Sequence, residues 1–322
     1  RAEFEELMKL IEHLKALLAD VNLRTALIKE ELEEIREKYG DERRSQIEYS
    51  GGDVSIEDLI ADENVVITIS HAGYIKRTNL TEYKTQNRGG VGQKSAGTRD
   101  QDFLEHMYVA TNHQYMMFFT QKGKCFWMRV YEIPEGSKTA KGRAIQNLIN
   151  IESDDKVKAF ICTQDLKDKE YTMSHNLIMV TKQGQVKKTS LDKYSKPRVN
   201  GVAAITIKEG DELLGAELTD GNSQIIIAVK SGKLLRFEET KTRPMGRTAS
   251  GVRGIRLKDE TDEVIGLVAV NDMNSEILVV AENGYGKRSS LDDYRITNRG
   301  GKGVKTLNIT EKTGKLISIN AV

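Results

Sequence analysis

The sequence predicts an all-β domain built from repeated blades, in the manner of a propeller, preceded by an α-helical coiled-coil segment. Beyond residue 63, short apolar runs each lead to a glycine turn, and a second glycine follows 17 to 19 residues later. Five such units recur with their first glycines 48 to 61 residues apart, a period typical of radial β repeats with one four-stranded blade per unit. The first 39 residues instead space their apolar residues at alternating steps of three and four, as in a coiled coil.

The apolar seam of the helical segment needs a surface that covers it. Asp20 and Asn22 are good helix-capping residues, so we expect a break there, and Gly40 should end the segment. A partner helix upstream, a second copy of the chain and the chain's own globular body all remain open as the cover. The seam, interrupted only by Thr25, consists of Leu7, Ile11, Leu14, Leu18, Val21, Ile28, Leu32 and Ile35.

The repeats set the predicted domain boundaries. We assign residues 1–40 to the helical arm, 41–62 to a linker with a hinge at Ser50-Gly51-Gly52-Asp53, and 63–322 to the β domain. Each apolar run ends at a hairpin turn, most clearly at Asn283-Gly284. The hairpin glycines are Gly73, Gly123, Gly184, Gly232 and Gly284, and the closing glycines are Gly92, Gly142, Gly201, Gly251 and Gly303.

Two irregularities qualify the repeat. The third unit begins late because of a polar stretch, Gln164–Tyr171, which we interpret as a loop insertion. The last residues, 317–322, correspond to 265–270 of the preceding unit. We therefore predict five complete blades and the start of a sixth, with an open or incomplete ring.

Positive charge is concentrated within the repeats, although the whole chain has a net charge of only +1. The five segments between paired glycines hold 23 Lys and Arg against 8 Asp and Glu, whereas the rest of residues 51–322 holds 17 against 27. Because equivalent segments occupy equivalent places around a radial fold, we expect a basic band along one rim, suited to a long polyanion such as duplex DNA. Ordinary solvated lysines and arginines are the alternative.

The composition and motifs argue against catalysis in this chain. The five histidines are scattered, the two cysteines Cys125 and Cys162 are isolated, and no apolar run approaches the ~20 residues of a membrane span. Gly92-Gln93-Lys94-Ser95 superficially resembles a P-loop, but Gln93 breaks the motif. We predict no catalytic residue, no metal site and a cytoplasmic, nucleoid-associated protein.

One glycine-rich run has the composition of a loop that binds phosphate: Gln86, Asn87, Arg88, Gly89, Gly90, Val91, Gly92. Its three glycines let the backbone approach a partner closely, and its arginine is suited to phosphate oxygens. A tight structural turn is the alternative interpretation. This run resembles the gyrase box of the DNA gyrase A family, Gln-Arg-Arg-Gly-Gly-Lys-Gly, except at Asn87 and Val91, where two positive charges are missing. A near copy occupies 297–303. The resemblance to that family extends to residues 30–44, 243–247 and 251–255, so it covers essentially the whole chain.

The resemblance implies a β-pinwheel, normally of six blades that exchange strands, around whose basic rim DNA is wrapped. It implies an A2B2 type II topoisomerase that introduces negative supercoils, with three partners for this chain: double-stranded DNA, a second A chain, and a gyrase B chain. The gyrase B chain would use ATP and Mg²⁺; the tyrosine that cuts DNA would lie in a domain absent from this chain. The equivalent domain of topoisomerase IV and a propeller-type scaffold that binds proteins are the rival interpretations.

We take basic residues of the repeats as candidate phosphate contacts, and the band itself as the main prediction. The candidates are Lys76, Arg77, Arg88, Lys94, Arg129, Lys141, Arg143, Lys187, Lys188, Arg198, Arg236, Arg247, Arg253, Lys287, Arg288, Arg299 and Lys302.

Overall fold

A computed structural model describes residues 1–42, 44–45, 56–83, 97 and 102–322 of the chain. Its contacts divide the chain into a helical unit, Arg1–Val54, and a β unit, Ser55–Val322. The predicted gyrase box at 86–92 and Lys94 lie outside the described residues.

The helical unit contains two helices, α1 (Ala2–Ala19) and α2 (Val21–Tyr39). The predicted break is present, since Asp20 separates the helices and its carboxylate accepts the backbone N–H of Asn22 at 2.8 Å. Gly40 follows α2 with an extended backbone (φ −69°), so it does not adopt the left-handed conformation usual for a glycine at this position. All eight seam residues are at least 38% exposed.

The β unit consists of five antiparallel sheets, which we call blades 1 to 5. Each blade begins with a hairpin and continues with a third strand that pairs with the first strand of the hairpin. These three strands are β1 (Asn64–Ser70), β2 (Tyr74–Asn79) and β3 (Leu104–Thr111) in blade 1; β4 (Tyr115–Thr120), β5 (Lys124–Arg129) and β7 (Val157–Thr163) in blade 2; β8 (Asn176–Thr181), β9 (Gln185–Ser190) and β11 (Leu213–Thr219) in blade 3; β12 (Gln224–Val229), β13 (Lys233–Glu238) and β15 (Val264–Val270) in blade 4; and β16 (Glu276–Ala281), β17 (Gly286–Ser290) and β19 (Leu316–Ala321) in blade 5.

The fourth strand of blades 1 to 4 comes from the next repeat, as the resemblance implied. These short strands, each pairing with the second strand of the preceding blade's hairpin, are β6 (Arg143–Ala144), β10 (Val202–Ala203), β14 (Val252–Arg253) and β18 (Val304–Lys305). One repeat therefore does not make one whole blade. The predicted start of a sixth unit is also wrong, because residues 316–321 form β19, the third strand of blade 5.

The cores lie between successive blades. In β4, Met116 and Phe118 pack toward blade 1, whereas Met117 and Phe119 pack toward blade 3. Because successive side chains of a strand point to opposite faces, a strand buried on both faces requires a continuous apolar run. This explains the apolar runs that mark the repeats.

The last residues of the predicted linker and the predicted loop insertion both have defined structure. Residues 56–62 belong to the β unit, where the carbonyl oxygens of Ile60 and Ala61 bind the side chains of His113 and Asn112. The insertion before blade 3 contains a short helix, α3 (Lys169–Ser174), capped by Asp168.

The closing glycine marks the point where the chain crosses to the preceding blade. Gly251 has φ +85°, and a Cβ added there would lie 2.6 Å from the carbonyl oxygen of Val186 in β9. Gly142 and Gly303 meet β2 and β13 in the same way, at 2.5 and 2.6 Å. The glycine period thus reflects the strand exchange.

We expect Gly251→Ala to lower the free energy of unfolding by about 2 kcal/mol or more, because it combines a left-handed backbone with a steric clash. Gly246→Ala is the matched control in the same loop, since nothing lies within 4 Å of its Cβ position. Denaturant unfolding measures both variants. Equal stability of the two would contradict the role assigned to the closing glycine.

Candidate nucleic-acid interface

Four described loops precede the closing glycines, and we call residues 133–142, 194–201, 242–251 and 294–303 the rim loops. Three of them run along the second strand of the preceding blade. The backbone N–H groups of Gly136, Met245 and Thr297 donate to the carbonyl oxygens of Arg77, Lys188 and Arg236 at 2.8 to 3.0 Å. Each of these loops is therefore fixed to a sheet of the repeat before it.

Successive rim loops also contact one another through the residues that follow each closing glycine. The backbone N–H of Thr206 donates to the carbonyl oxygen of Ala249 at 3.2 Å, and that of Arg256 donates to the carbonyl oxygen of Gly301 at 2.8 Å. The side-chain amide N–H of Asn150 donates to the side-chain oxygen of Asn200 at 3.0 Å, and Gly97 lies against the carbonyl oxygen of Thr139. The rim loops consequently form one continuous row.

Most of the predicted contact residues on or beside this row reach the surface. Arg247 and Arg299 are half-buried, and Arg77 is partly buried by its bonds to Ile133 and Glu135. Arg288 is exposed and pairs with Glu276 at 2.7 Å. The exposed candidates are Lys141, Arg143, Arg198, Arg253, Lys287, Arg288 and Lys302.

A concave site of about 290 Å³ opens between two successive rim loops. Lys193, Lys196 and Arg198 line it from one repeat, and Arg247 lines it from the next, with Asp192 and Ser195 as the remaining lining residues. Four basic side chains around one concavity attract an anion of phosphate size. This site shows directly that adjacent repeats bring positive charge together.

Five of the predicted contact residues are buried instead, at 0–6% exposure, and this is a correction: Lys76, Arg129, Lys187, Lys188 and Arg236. They lie in the second strand of a hairpin, which is covered by the next repeat. Side chains at this depth do not reach a DNA backbone, so we remove these five residues from the candidate interface.

Each buried cation is satisfied by protein groups. Lys76 donates to the carbonyl oxygens of Ser137 and Lys138, both at 2.7 Å, and Lys187 donates to those of Ala204 and Arg247. Burial lowers the pKa of Lys187 to about 7, and the positive charge of Arg247 contributes to the shift. Burial also lowers the pKa of Lys76.

The other three buried cations join separate parts of the β unit. Arg129 pairs with Glu57 at 2.8 Å and stacks on the Tyr115 ring at 3.8 Å, which holds residues 56–59 on blade 2. Lys188 pairs with the fully buried Glu239 at 2.8 Å. Arg236 donates to the carbonyl oxygens of Leu291 and Tyr294, in the next repeat.

The second copy of the box, 297–303, shows what its arginine and lysine do. The guanidinium of Arg299 donates to the carbonyl oxygens of Lys241 at 3.0 Å and Arg253 at 3.2 Å, so it holds two neighbouring segments together. Lys302 is exposed on the surface. Arginine in this copy therefore organises the loops, and the lysine faces the solvent.

Sequence reasoning missed four basic residues of the rim loops, Lys138, Lys196, Arg243 and Arg295, and also Lys193, which directly precedes a rim loop. Lys138 lies over the Tyr83 ring at 5.1 Å, and the two other lysines line the concave site. An alignment of the repeats on their closing glycines would have found Lys138. The position four residues before that glycine is basic in all four longer units, as Arg88, Lys138, Arg247 and Arg299.

Among the described residues there is no group of three potential metal ligands, and none of the described helices is long and apolar enough to span a bilayer.

Comparisons with known proteins identify related sequences. The family described as "DNA gyrase C-terminal domain, beta-propeller" matches five times, over residues 64–111, 114–164, 175–220, 224–271 and 275–322. The DNA gyrase A protein of Staphylococcus epidermidis is 44% identical and that of Staphylococcus aureus 43% identical, each over the whole chain. The chain spans 36% of the length of these relatives.

Solved structures share the architecture. The C-terminal domain of a DNA topoisomerase IV superposes with a TM-score of 0.66 at 27% identity, covering 82% of this chain and 79% of that one. The C-terminal domain of a DNA gyrase A superposes with a TM-score of 0.65 at 26% identity, covering 81% of this chain and 83% of that one.

Proposed function

This chain belongs to the family of DNA gyrase C-terminal domains, and we propose that its rim loops bind, bend and wrap duplex DNA. The observation that carries the proposal is the continuous row of rim loops, along which basic side chains from successive repeats come together. Arg198 and Arg247, which line one concave site from two repeats, are its clearest example.

Phosphate contacts of this kind supply affinity with little base preference. Bending a 20–30 base-pair site costs on the order of 1–6 kcal/mol. Each lysine or arginine that neutralises a phosphate releases counterions, and several such contacts offset the bending cost at moderate salt. Binding should therefore be steeply salt-dependent and nearly independent of sequence.

The whole enzyme in which we place the chain is an A2B2 DNA gyrase. The chain would guide DNA into strand passage and so favour negative supercoiling, while the gyrase B protein binds ATP and Mg²⁺ and another region of the gyrase A protein cuts DNA. The similarity to gyrase A relatives over the whole chain supports this assignment, and a cytoplasmic, nucleoid-associated location follows from it.

Topoisomerase IV is the alternative, since the two solved structures superpose almost equally well. The 43–44% identity to gyrase A proteins over the full chain favours gyrase. A protein-binding scaffold would not require basic residues to converge between repeats.

The test of wrapping uses nicked circular DNA. The 322-residue chain is bound to the circle, the nick is ligated and the linking number is measured after the protein is removed. We expect a shift in linking number that grows with protein concentration and disappears at high salt. Tight binding without a shift would indicate binding without wrapping, and absence of binding would favour the scaffold.

A further inference from the structure

Two buried lysines occupy the same place in alternate blades. Lys76 and Lys187 each stand three residues after the hairpin glycine, and each is at most 1% exposed. A buried ammonium is costly unless hydrogen-bond acceptors surround it. In both blades the acceptors are backbone carbonyl oxygens. The next repeat contributes both acceptors of Lys76 and one of the two acceptors of Lys187, that of Arg247, whereas Ala204 belongs to the same repeat as Lys187.

The acceptors identify what these lysines hold. Lys76 binds the carbonyl oxygen of Lys138, and Lys187 binds that of Arg247. Lys138 and Arg247 are the basic residues four positions before their closing glycines. Each buried lysine therefore binds the backbone carbonyl oxygen of a residue whose own basic side chain belongs to the row of rim loops.

The intervening blades achieve the packing differently. Phe126 and Leu235 take the equivalent position in blades 2 and 4. A Cβ on Gly201 would lie 2.8 Å from the Phe126 ring, and one on Gly301 would lie 3.2 Å from Leu235, so these loops are seated by apolar contact against a glycine. Lysine occurs where the loop instead turns its carbonyl oxygens inward.

Loss of either lysine would affect the loop specifically. The carbonyl oxygens of residues 138 and 247 would remain directed at an apolar side chain, and a buried acceptor without a donor is unfavourable. The loop relieves this by turning its backbone, which moves the attached basic side chain.

We propose that Lys187 and Lys76 are positioning residues, which touch no DNA but hold Arg247 and Lys138 in register with the basic row. This inference rests on the proposed function of the rim loops. It predicts that a side chain without surface exposure changes the salt dependence of DNA binding.

The experiment measures DNA affinity by fluorescence anisotropy between about 50 and 200 mM salt, with the 322-residue chain and a short duplex. Arg247→Ala should lower the slope of log affinity against log salt by about 0.9, which corresponds to roughly a fourfold loss of affinity at about 200 mM. Lys187→Met should lower it by a similar amount, although Lys187 is buried. The double variant should bind no more weakly than Arg247→Ala.

Lys182→Met is the matched control. It removes a lysine from the hairpin turn of the same blade, where Lys182 pairs with Glu212. Its slope should equal that of the unaltered chain. Circular dichroism at the assay temperature confirms that each variant is folded.

The outcomes separate the inference from the proposed function. The inference is overturned if the slope is unchanged in folded Lys187→Met or in Arg247→Ala. In that case the proposed function still stands, provided that DNA binding by the unaltered chain is steeply salt-dependent. No DNA binding by the unaltered chain overturns both. If Lys187→Met does not fold, Lys76→Met with Lys138→Ala makes the same test. Unfolding of both lysine variants contradicts the inference, because the lysines would then hold the blades rather than the loops.

Discussion

Replacement of Arg198, Arg253 and Lys302 together by alanine is expected to reduce DNA affinity on the order of a hundredfold at about 200 mM salt. The three residues are exposed and come from three consecutive repeats: Arg198 and Lys302 lie in rim loops, and Arg253 lies two residues after the closing glycine of the rim loop between them. Three lost phosphate contacts would lower the slope of log affinity against log salt by about 2.7. The linking-number shift of ligated circles should disappear with them, because a bend requires contacts at several successive points.

The chain offers a control with the same repeats and the same charge. Lys208, Lys258 and Lys312 are also exposed, but they lie in segments held to the hairpin turns, as Gly210 is held by Gln183 and Lys312 by Asn283. Their triple alanine variant should keep the slope and the linking-number shift. Equal losses in the two variants would show that net charge, and not the row, determines binding.

The repeat itself could be predicted from the sequence because its cause is local. A closing glycine must approach a carbonyl oxygen of the preceding blade, and at Gly251 no other residue fits without strain. A strand buried on both faces must be apolar throughout, as at Met116–Phe119. Both constraints leave a visible mark on the chain.

The strand exchange could not be predicted from the residues alone. A two-residue strand such as Val252–Arg253 is too short to leave a pattern, and its partner Val186 lies 66 positions earlier in the chain. Only the resemblance to a known family implied it. The match of residues 317–322 to 265–270 is consistent with the structure, since both stretches lie in the third strand of a blade, but the start of a sixth unit that we inferred from it is absent from the described residues.

Counts of charge could not show which cations reach the surface. Lys187 and Arg247 both lie in the basic segments between paired glycines, yet Lys187 is buried and Arg247 lines the concave site. The difference follows from position within the repeat. In blades 1 to 4, residues three or four after the hairpin glycine lie inside a strand that the next repeat covers, whereas in blade 5 the equivalent Lys287 and Arg288 are exposed. Residues just before the closing glycine lie on the row.

The second large effect is expected at Glu239, a carboxylate that occupies an apolar position of the repeat. The equivalent residues are Leu80, Val130, Leu191 and Leu291. Glu239 is fully buried, and it accepts bonds from Lys188 at 2.8 Å, from Thr219 at 2.8 Å and from the backbone N–H groups of Gly221 and Ser223 at 3.1 and 3.3 Å. A single carboxylate thus joins blade 3 to the start of blade 4.

Glu239→Leu restores the residue type of the other repeats and should nevertheless lower the free energy of unfolding by about 3–5 kcal/mol. The reason is that the buried ammonium of Lys188 and the N–H groups of Gly221 and Ser223 lose their acceptor. Glu238→Leu is the control, since Glu238 is the exposed neighbour and lies 3.9 Å from Lys241. It should change stability by less than about 0.5 kcal/mol. Denaturant unfolding provides both values.

A second substitution distinguishes the ion pair from simple packing. In Glu239→Leu/Lys188→Met the ammonium is removed as well, and more than about 1 kcal/mol of the loss should be recovered, since residues in direct contact couple strongly. Recovery remains incomplete because the N–H groups of Gly221 and Ser223 still lack an acceptor. Additive losses in the double variant would contradict this account, as they would show that Lys188 does not depend on Glu239. We also expect the folded Glu239 variants to keep the slope of log DNA affinity against log salt of the unaltered chain. That result would separate the cations that join blades from those that we place on DNA.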